Sequence, residues 1–249
     1  MWQALRYAAR HGVALPPLPE RPRFPRRTVV RPHIFSPEEI DRLLGAARDL
    51  GPSDSLRPET FFTLFALLVT TGIRIGEALA MDIGDIDFEG ASLRIRRGKF
   101  GKSRIVPLHP TTVEALRTYM GRRLAAHGTD LGSAPFFSTL CKTRLAHRTV
   151  HGTYRELIER ARISTPGGGL PRIHDLRHTF AVRRLLDWYG RGIDVNERLA
   201  ALSTYLGHVD VSSTLVYLRP NEETLREAAK RFQHRCPLPI PAGEGSRDR

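Results

Sequence analysis

Residues 59–70 read E-T-F-F-T-L-F-A-L-L-V-T, apolar on nearly every side of the helix that their spacing predicts. A helix with no polar face has to be surrounded by protein or by lipid. At about a dozen residues the run falls well short of the roughly 20 that cross a bilayer, so it predicts the central helix of a folded core. Gly72 suits the left-handed conformation that stops such a helix. The chain then continues I-R-I-G-E-A-L-A, which predicts a short second helix presenting Arg74 and Glu77, three apart, on one face. An arginine delivered by the end of a buried helix is rigidly held, although an ordinary surface Arg–Glu pair has the same spacing.

The remaining elements are expected to pack around that run. Residues 36–39 spell S-P-E-E, an N-cap, a proline at the first helical position and Glu39 three residues on, which predicts a capping box and a helix through about Leu50. Ile40, Leu43, Leu44 and Ala47 form its apolar face. Residues 91–108 alternate as two strands, with Leu93 and Ile95 on one arm and Ile105, Val106 and Leu108 on the other. Between them lies G-K-F-G-K, which puts Lys99 and Lys102 at the tip of a β-hairpin, either as solvated turn lysines or as a finger reaching a phosphate. Helical spacing returns over 111–126, 149–162 and 195–206, and 134–138 predicts a short buried strand around Phe136 and Phe137. The fold class is therefore mainly α with a small antiparallel β-sheet or hairpin.

Charge points to the partner. Lys and Arg number 39 against 26 Asp and Glu, a net charge of +13 that attracts polyanions, so DNA or RNA is the first partner to consider. Cys141 and Cys236 stand far apart without C-x-x-C spacing, which suggests neither a disulfide framework nor a cysteine zinc site, and the reducing cytoplasm is expected. No signal-peptide core or membrane-spanning run is present in the sequence. Residues 2–11 have short helical spacing, and residues 16–37 hold seven prolines with Arg21, Arg23, Arg26, Arg27 and Arg31, the composition of an extended linker. Its arginines read as a solvated spacer or as contacts along a phosphate backbone. The division expected is a remnant helix and linker over 1–35, a main domain over 36–236, and a disordered tail over 237–249.

The polar residues concentrate in 172–217, which contain R-I-H-D-L-R-H-T-F, then S-T-Y-L-G-H, then S-S-T-L-V-Y. His174 and Arg177 are three apart at a predicted helix start, where free N–H groups and the helix dipole favour a phosphate. His174 and His178 at i, i+4 also raise a metal reading. Asp175 stands where a metalloprotease helix carries its general-base Glu, and Arg177 would set a fixed cation beside the ion, so that reading is set aside. Gly207 suits the end of the 195–206 helix and places His208 in a turn, and that break lets His208 and Tyr217 face one site although nine residues separate them. Taken alone, Tyr217 reads equally as a half-buried core tyrosine.

Four segments in order resemble the tyrosine recombinase (phage integrase) family: T-G-I-R-I-G-E-A-L its first box, G-K-F-G-K-S-R-I-V-P-L its hairpin lysine segment, H-D-L-R-H-T-F its second box, and L-G-H-x8-Y its terminal His and nucleophile. The resemblance covers about residues 36–232 and rests on the combination, since each segment alone is weak. It implies a site-specific DNA recombinase or integrase, of a mobile element, that cleaves and rejoins duplex DNA through a 3′-phosphotyrosine without ATP, cofactor or metal. Arg74 and Arg177 would clamp the phosphate, Tyr217 would be the nucleophile, His174 and His208 the site histidines, and Glu77 an orienting acid. Lys99 would be the general acid, with Lys102 as the alternative because the hairpin register is not fixed by sequence. The expected partners are double-stranded DNA, further copies in a homotetramer and companion recombinases. No membrane is expected as a partner, and the location is the nucleoid of the cytoplasm. Members of the family usually carry a separate helical DNA-embracing domain before the catalytic one, and residues 2–12 are expected to be its remnant. The competing expectation is a truncated or non-catalytic DNA-binding relic with an architectural or regulatory role.

Overall fold

In the computed structural model, residues 11, 32–52, 55–96, 103–128, 134–139 and 141–207 are described, and the chain divides into two units, Met1–Arg31 and Pro32–Arg249. The described part of the second unit is mostly helical, with one small antiparallel sheet. Its first helix, α1 (Pro37–Arg48), starts as the sequence predicts. The Ser36 side chain accepts from the Glu39 N–H at 3.2 Å while the Glu39 carboxylate accepts from the Ser36 N–H at 2.9 Å, so two orphan donors of the helix start are satisfied reciprocally. Ile40, Leu43 and Ala47 face the core.

The apolar run lies in α2 (Arg57–Thr71), which begins two residues before the predicted start. Phe61, Leu64, Phe65, Leu67 and Leu68 are all buried, and α1, the fourth helix and the sixth pack around it. Gly72 closes α2 at φ +63 and is needed there for two reasons. A side chain would be strained at that φ, and its Cβ would fall 2.4 Å from the Phe180 ring. The chain then turns into α3 (Ile75–Ala80), for which Arg74 is the N-cap residue and not a helical one, as the predicted short helix had it.

A single helical turn (Ile83–Asp85) leads into β1 (Ile86–Asp87), β2 (Ser92–Ile95) and β3 (Arg104–Pro107), paired antiparallel in that order. The predicted hairpin is thus the larger part of a three-stranded sheet. Leu93 pairs with Val106 and Ile95 with Arg104 on the inner face, whereas Ile105 points outward and is 66% exposed. Helix α4 (Pro110–His127) packs on α2 through Val113, Leu116 and Tyr119, with the Tyr119 and Thr60 hydroxyls 3.2 Å apart. Phe136 and Phe137 are buried as predicted, but their segment makes only isolated bridges, Asp82 with Pro135 and Ser138 with Arg144. The strand expected there is replaced by two aromatic plugs against Tyr119, at centroid distances of 5.3 and 5.5 Å.

Helices α5 (His147–Arg160), α6 (Ile173–Gly190) and α7 (Val195–Leu206) complete the described chain. Helix α6 crosses two apolar clusters. Its residues Ile173 and Leu176 belong to the main core, while Phe180, Ala181, Val182 and Leu185 pack with Leu199, Leu202 and Leu206 of α7. Phe180 and Tyr205 stack at 5.6 Å between these two helices. Among the described residues no helix is long and apolar enough to cross a membrane, and no group of three or more His, Cys, Asp or Glu side chains is set to hold a metal ion. Residues 2–10 of the predicted N-terminal helix, the proline-rich linker up to Arg31, and the chain after Gly207 with Tyr217 and the tail lie outside the described residues.

Candidate active site

Arg74 is placed by the sharp exit from α2. Its backbone N–H donates to Glu77 Oε2 at 2.9 Å, its Nη1 to Glu77 Oε1 at 2.8 Å, and its Nη2 to the Gly207 carbonyl at 2.9 Å. The i, i+3 spacing therefore gives a buried hub and not a surface pair, since the Glu77 side chain is only 5% exposed. Arg177, one turn into α6, donates from Nη1 to the Gly72 carbonyl at 2.8 Å and from Nη2 to the Leu206 carbonyl at 2.6 Å. It is 2% exposed, so a residue expected to face a phosphate is also the bolt between the end of α2 and the end of α7.

A third arginine completes the group. Arg104 on β3 donates from Nη1 and Nη2 to the two Glu77 oxygens at 2.8 and 2.7 Å, and from Nε to the Tyr205 carbonyl at 2.8 Å. Three consecutive carbonyls, of Tyr205, Leu206 and Gly207, thus accept from Arg104, Arg177 and Arg74 in turn. These are orphan acceptors at the C-terminal end of α7, where the helix dipole is negative and cations are favoured. Gly207 stands at φ +66, and a Cβ there would lie 2.7 Å from Arg104 Nη1, so the left-handed turn and the close approach both call for glycine.

Sequence reading missed Arg104, yet a signal was present. With a side-chain period of two, Arg104 falls on the same inner face of β3 as Val106, a place where a charged residue needs a partner inside the fold. Glu77 is that partner. Burial pushes its carboxyl up, but the Arg104 hydrogen bonds, the Arg74 N–H, the charge of Arg104 and the Arg74 side-chain hydrogen bond outweigh this and hold it at about 2.

His174 lies one turn before Arg177, at the start of α6, which is capped by the buried Asp175. That carboxylate accepts from the Arg172 N–H at 2.9 Å and from Arg172 Nη2 at 2.8 Å. The His174 ring meets the His178 ring edge to face at 4.9 Å. Desolvation first, then the charge of Arg177, lower its pKa, so the imidazole is neutral near pH 7 and can accept a proton. His178 is lowered to about 4, by burial first and then by His174, and so is neutral as well.

The fold therefore gathers Arg74, Glu77, Arg177 and the first turn of α6 with His174 around the end of α7. Lys99 and Lys102 belong to the 97–102 connection between β2 and β3, and His208 and Tyr217 follow Gly207; these four lie outside the described residues.

Comparison with known proteins identifies the family of the chain. A family model described as the phage integrase family matches residues 33–224. A relative from Sinorhizobium fredii, y4rB, named as an integrase/recombinase, is 39% identical over 237 residues, covering 92% of this chain and 74% of that protein. Tyrosine recombinase XerA of Pyrococcus furiosus is 31% identical over 215 residues, covering 85% of this chain and 66% of that one. Among solved structures, the crystal structure of XerA recombinase is similar with a TM-score of 0.64 at 28% identity, over 84% of this chain and 66% of that one. The chain spans between 66% and 74% of the length of these proteins. It belongs to the phage integrase family and is a recombinase of the tyrosine type.

Proposed function

We propose that this chain cleaves and rejoins duplex DNA at a specific site through a 3′-phosphotyrosine at Tyr217, as the recombinase of a mobile element. The observation that carries this reading is the set of arginines on three successive carbonyls at 205–207, because the chain leaves that turn directly into His208 and the segment bearing Tyr217. In it, Arg74 and Arg177 meet the non-bridging oxygens of one phosphodiester and offset the charge that builds on them during attack. Arg74 commits two of the five donors of a guanidinium to Glu77 and Gly207, and its side chain is 23% exposed. Arg177 engages the phosphate by exchanging a carbonyl bond.

A tyrosine hydroxyl ordinarily titrates near 10, so a tyrosine nucleophile needs a base, for which the neutral His174 is suited. As the tyrosine oxygen bonds to phosphorus its proton passes to His174, the bond to the 5′-oxygen breaks, and Lys99 supplies that oxygen with a proton. Lys102 is the alternative donor from the same connection. His208 donates a hydrogen bond to the phosphate. The phosphotyrosine retains the diester energy, so the 5′-hydroxyl of another strand reverses the step on a new partner without ATP.

Double-stranded DNA is the substrate, the working form is a tetramer of copies or of this chain with companion recombinases, and the location is the nucleoid. Two solved XerH structures, similar in fold at 23–24% identity, are described as pre-cleavage and post-cleavage complexes with difH substrate. The test is incubation with nicked duplexes made from the DNA flanking the gene. A covalent protein–DNA adduct is expected from the wild type and none from Tyr217→Phe. Its absence from both, with retained DNA binding, would favour the architectural relic.

A further inference from the structure

The three arginines at the end of α7 are not equivalent. Arg104 is 11% exposed at its side chain, and its three bonds all end on protein, two on the Glu77 carboxylate and one on the Tyr205 carbonyl. It is therefore not aimed at a DNA phosphate. Glu77, however, also accepts from Arg74, and a lone carboxylate 2.8 Å from Arg74 Nη1 would cancel most of the charge that this arginine brings to the site. Two guanidiniums on one carboxylate leave a net positive charge where one guanidinium would leave none. The fork of Arg104 occupies one N–H per Glu77 oxygen, and Arg74 uses the remaining acceptor sites of the same oxygens.

We infer that Arg104 is a positioning residue of this recombinase site. It neutralises Glu77, so that Arg74 faces the scissile phosphate as a net cation, and its Nε bond to Tyr205 ties β3 of the hairpin to the turn that precedes His208. The inference rests on the function proposed above. Two further features agree with it. Gly207 leaves open the space that the Arg104 guanidinium fills. The Glu77 carboxyl is held ionised chiefly by Arg104 against the cost of its burial.

Purified full-length Arg104→Gln, Arg104→Lys and the double variant Glu77→Gln/Arg104→Gln test it, against wild type and Tyr217→Phe. Adduct formation on saturating nicked duplex is expected to fall about ten- to a hundredfold in Arg104→Gln, one to two powers of ten being the usual effect of a misplaced charge in a preorganised site. DNA affinity at fixed salt is expected to change little. Lysine keeps the charge without the fork, so Arg104→Lys is expected to cleave faster than Arg104→Gln. Removing both charges leaves Arg74 cationic again, so the double variant is also expected to cleave faster than Arg104→Gln, whereas a purely structural contact would make it slower. A wild-type rate in Arg104→Gln, or a double variant slower than the single one, overturns the inference. Carbon NMR of the Glu77 carboxyl gives a readout apart from catalysis: its titration is expected to move to higher pH in Arg104→Gln. A wild type that forms no Tyr217-dependent adduct defeats the function reading, and in that case an unmoved Glu77 titration defeats the charge role of Arg104 as well.

Discussion

Arg177→Ala is the substitution on which the structure makes the sharpest demand. The guanidinium, 2% exposed, bridges the Gly72 carbonyl at 2.8 Å and the Leu206 carbonyl at 2.6 Å, joining the main core to the α6–α7 cluster. A hydrogen bond from a charged donor is worth about 1.5–3 kcal/mol, and two buried carbonyls would be left unsatisfied. Together with the space opened by truncation, the expected loss is about 3–5 kcal/mol, of the order seen when one member of a buried polar pair is removed. Against a typical stability of about 5–15 kcal/mol, the variant should remain folded at low temperature. Urea unfolding followed by the fluorescence of Trp188 on α6 measures the loss as a lower midpoint at unchanged slope. Under conditions where the variant is folded, DNA cleavage should vanish while binding at low salt largely survives, because the remaining basic surface supplies counterion release. A destabilisation below about 1 kcal/mol would refute the claim that this guanidinium holds the two clusters together. Equal loss of cleavage and binding would mean that a binding residue has been read as a catalytic one.

Gly207→Ala should lose about 1–2 kcal/mol from the left-handed backbone alone and more from the contact with Arg104, and its melting temperature should fall further than that of Gly190→Ala, where a Cβ meets open space. Stability should rise with pH from about 2 to 6.5, as read from urea midpoints. Glu77, depressed to about 2, loses its contribution as pH falls from its ordinary 4.5 through that value, because the unfolded carboxyl takes up its proton first. His178, depressed to about 4, acts in the same direction between 6.5 and 4, since the unfolded imidazole protonates before the buried one. Glu77→Gln should flatten the lower limb and His178→Gln the upper; a limb unchanged by its variant contradicts the assignment. Ser36→Ala should cost about 1 kcal/mol through loss of the capping box, and a neutral result would mean that Glu39 alone secures the start of α1.

Local signals in the sequence carried most of the fold. Residues 36–39 announced a capping box, Gly72 and Gly207 announced left-handed helix ends, and the all-round apolar run announced the buried helix α2; each rests on chemistry within a few residues. The misreadings were tertiary. Residues 134–138 have the composition of a strand, yet Phe136 and Phe137 are bound by Tyr119 on α4 and not by a ladder. Ile105 looks like a core residue in a list of apolar positions, but the register with β2 turns it outward and Arg104 inward. The site was legible as a set of residue types and not as a bonding pattern. Motif spacing pointed to Arg74, Glu77, His174 and Arg177, while the convergence of three guanidiniums on residues 205–207 depends on contacts between positions about 30 to 130 apart in sequence.

The central claim is that this fold arranges its arginines to place one phosphodiester before Tyr217. It is tested most directly by trapping the wild-type protein on a nicked duplex, digesting the complex and locating the nucleotide by mass spectrometry. The account predicts a single modified peptide, with the DNA 3′-phosphate esterified to the Tyr217 oxygen, and none in Tyr217→Phe. A nucleotide carried on any other residue, or a linkage through a 5′-phosphate, would contradict it.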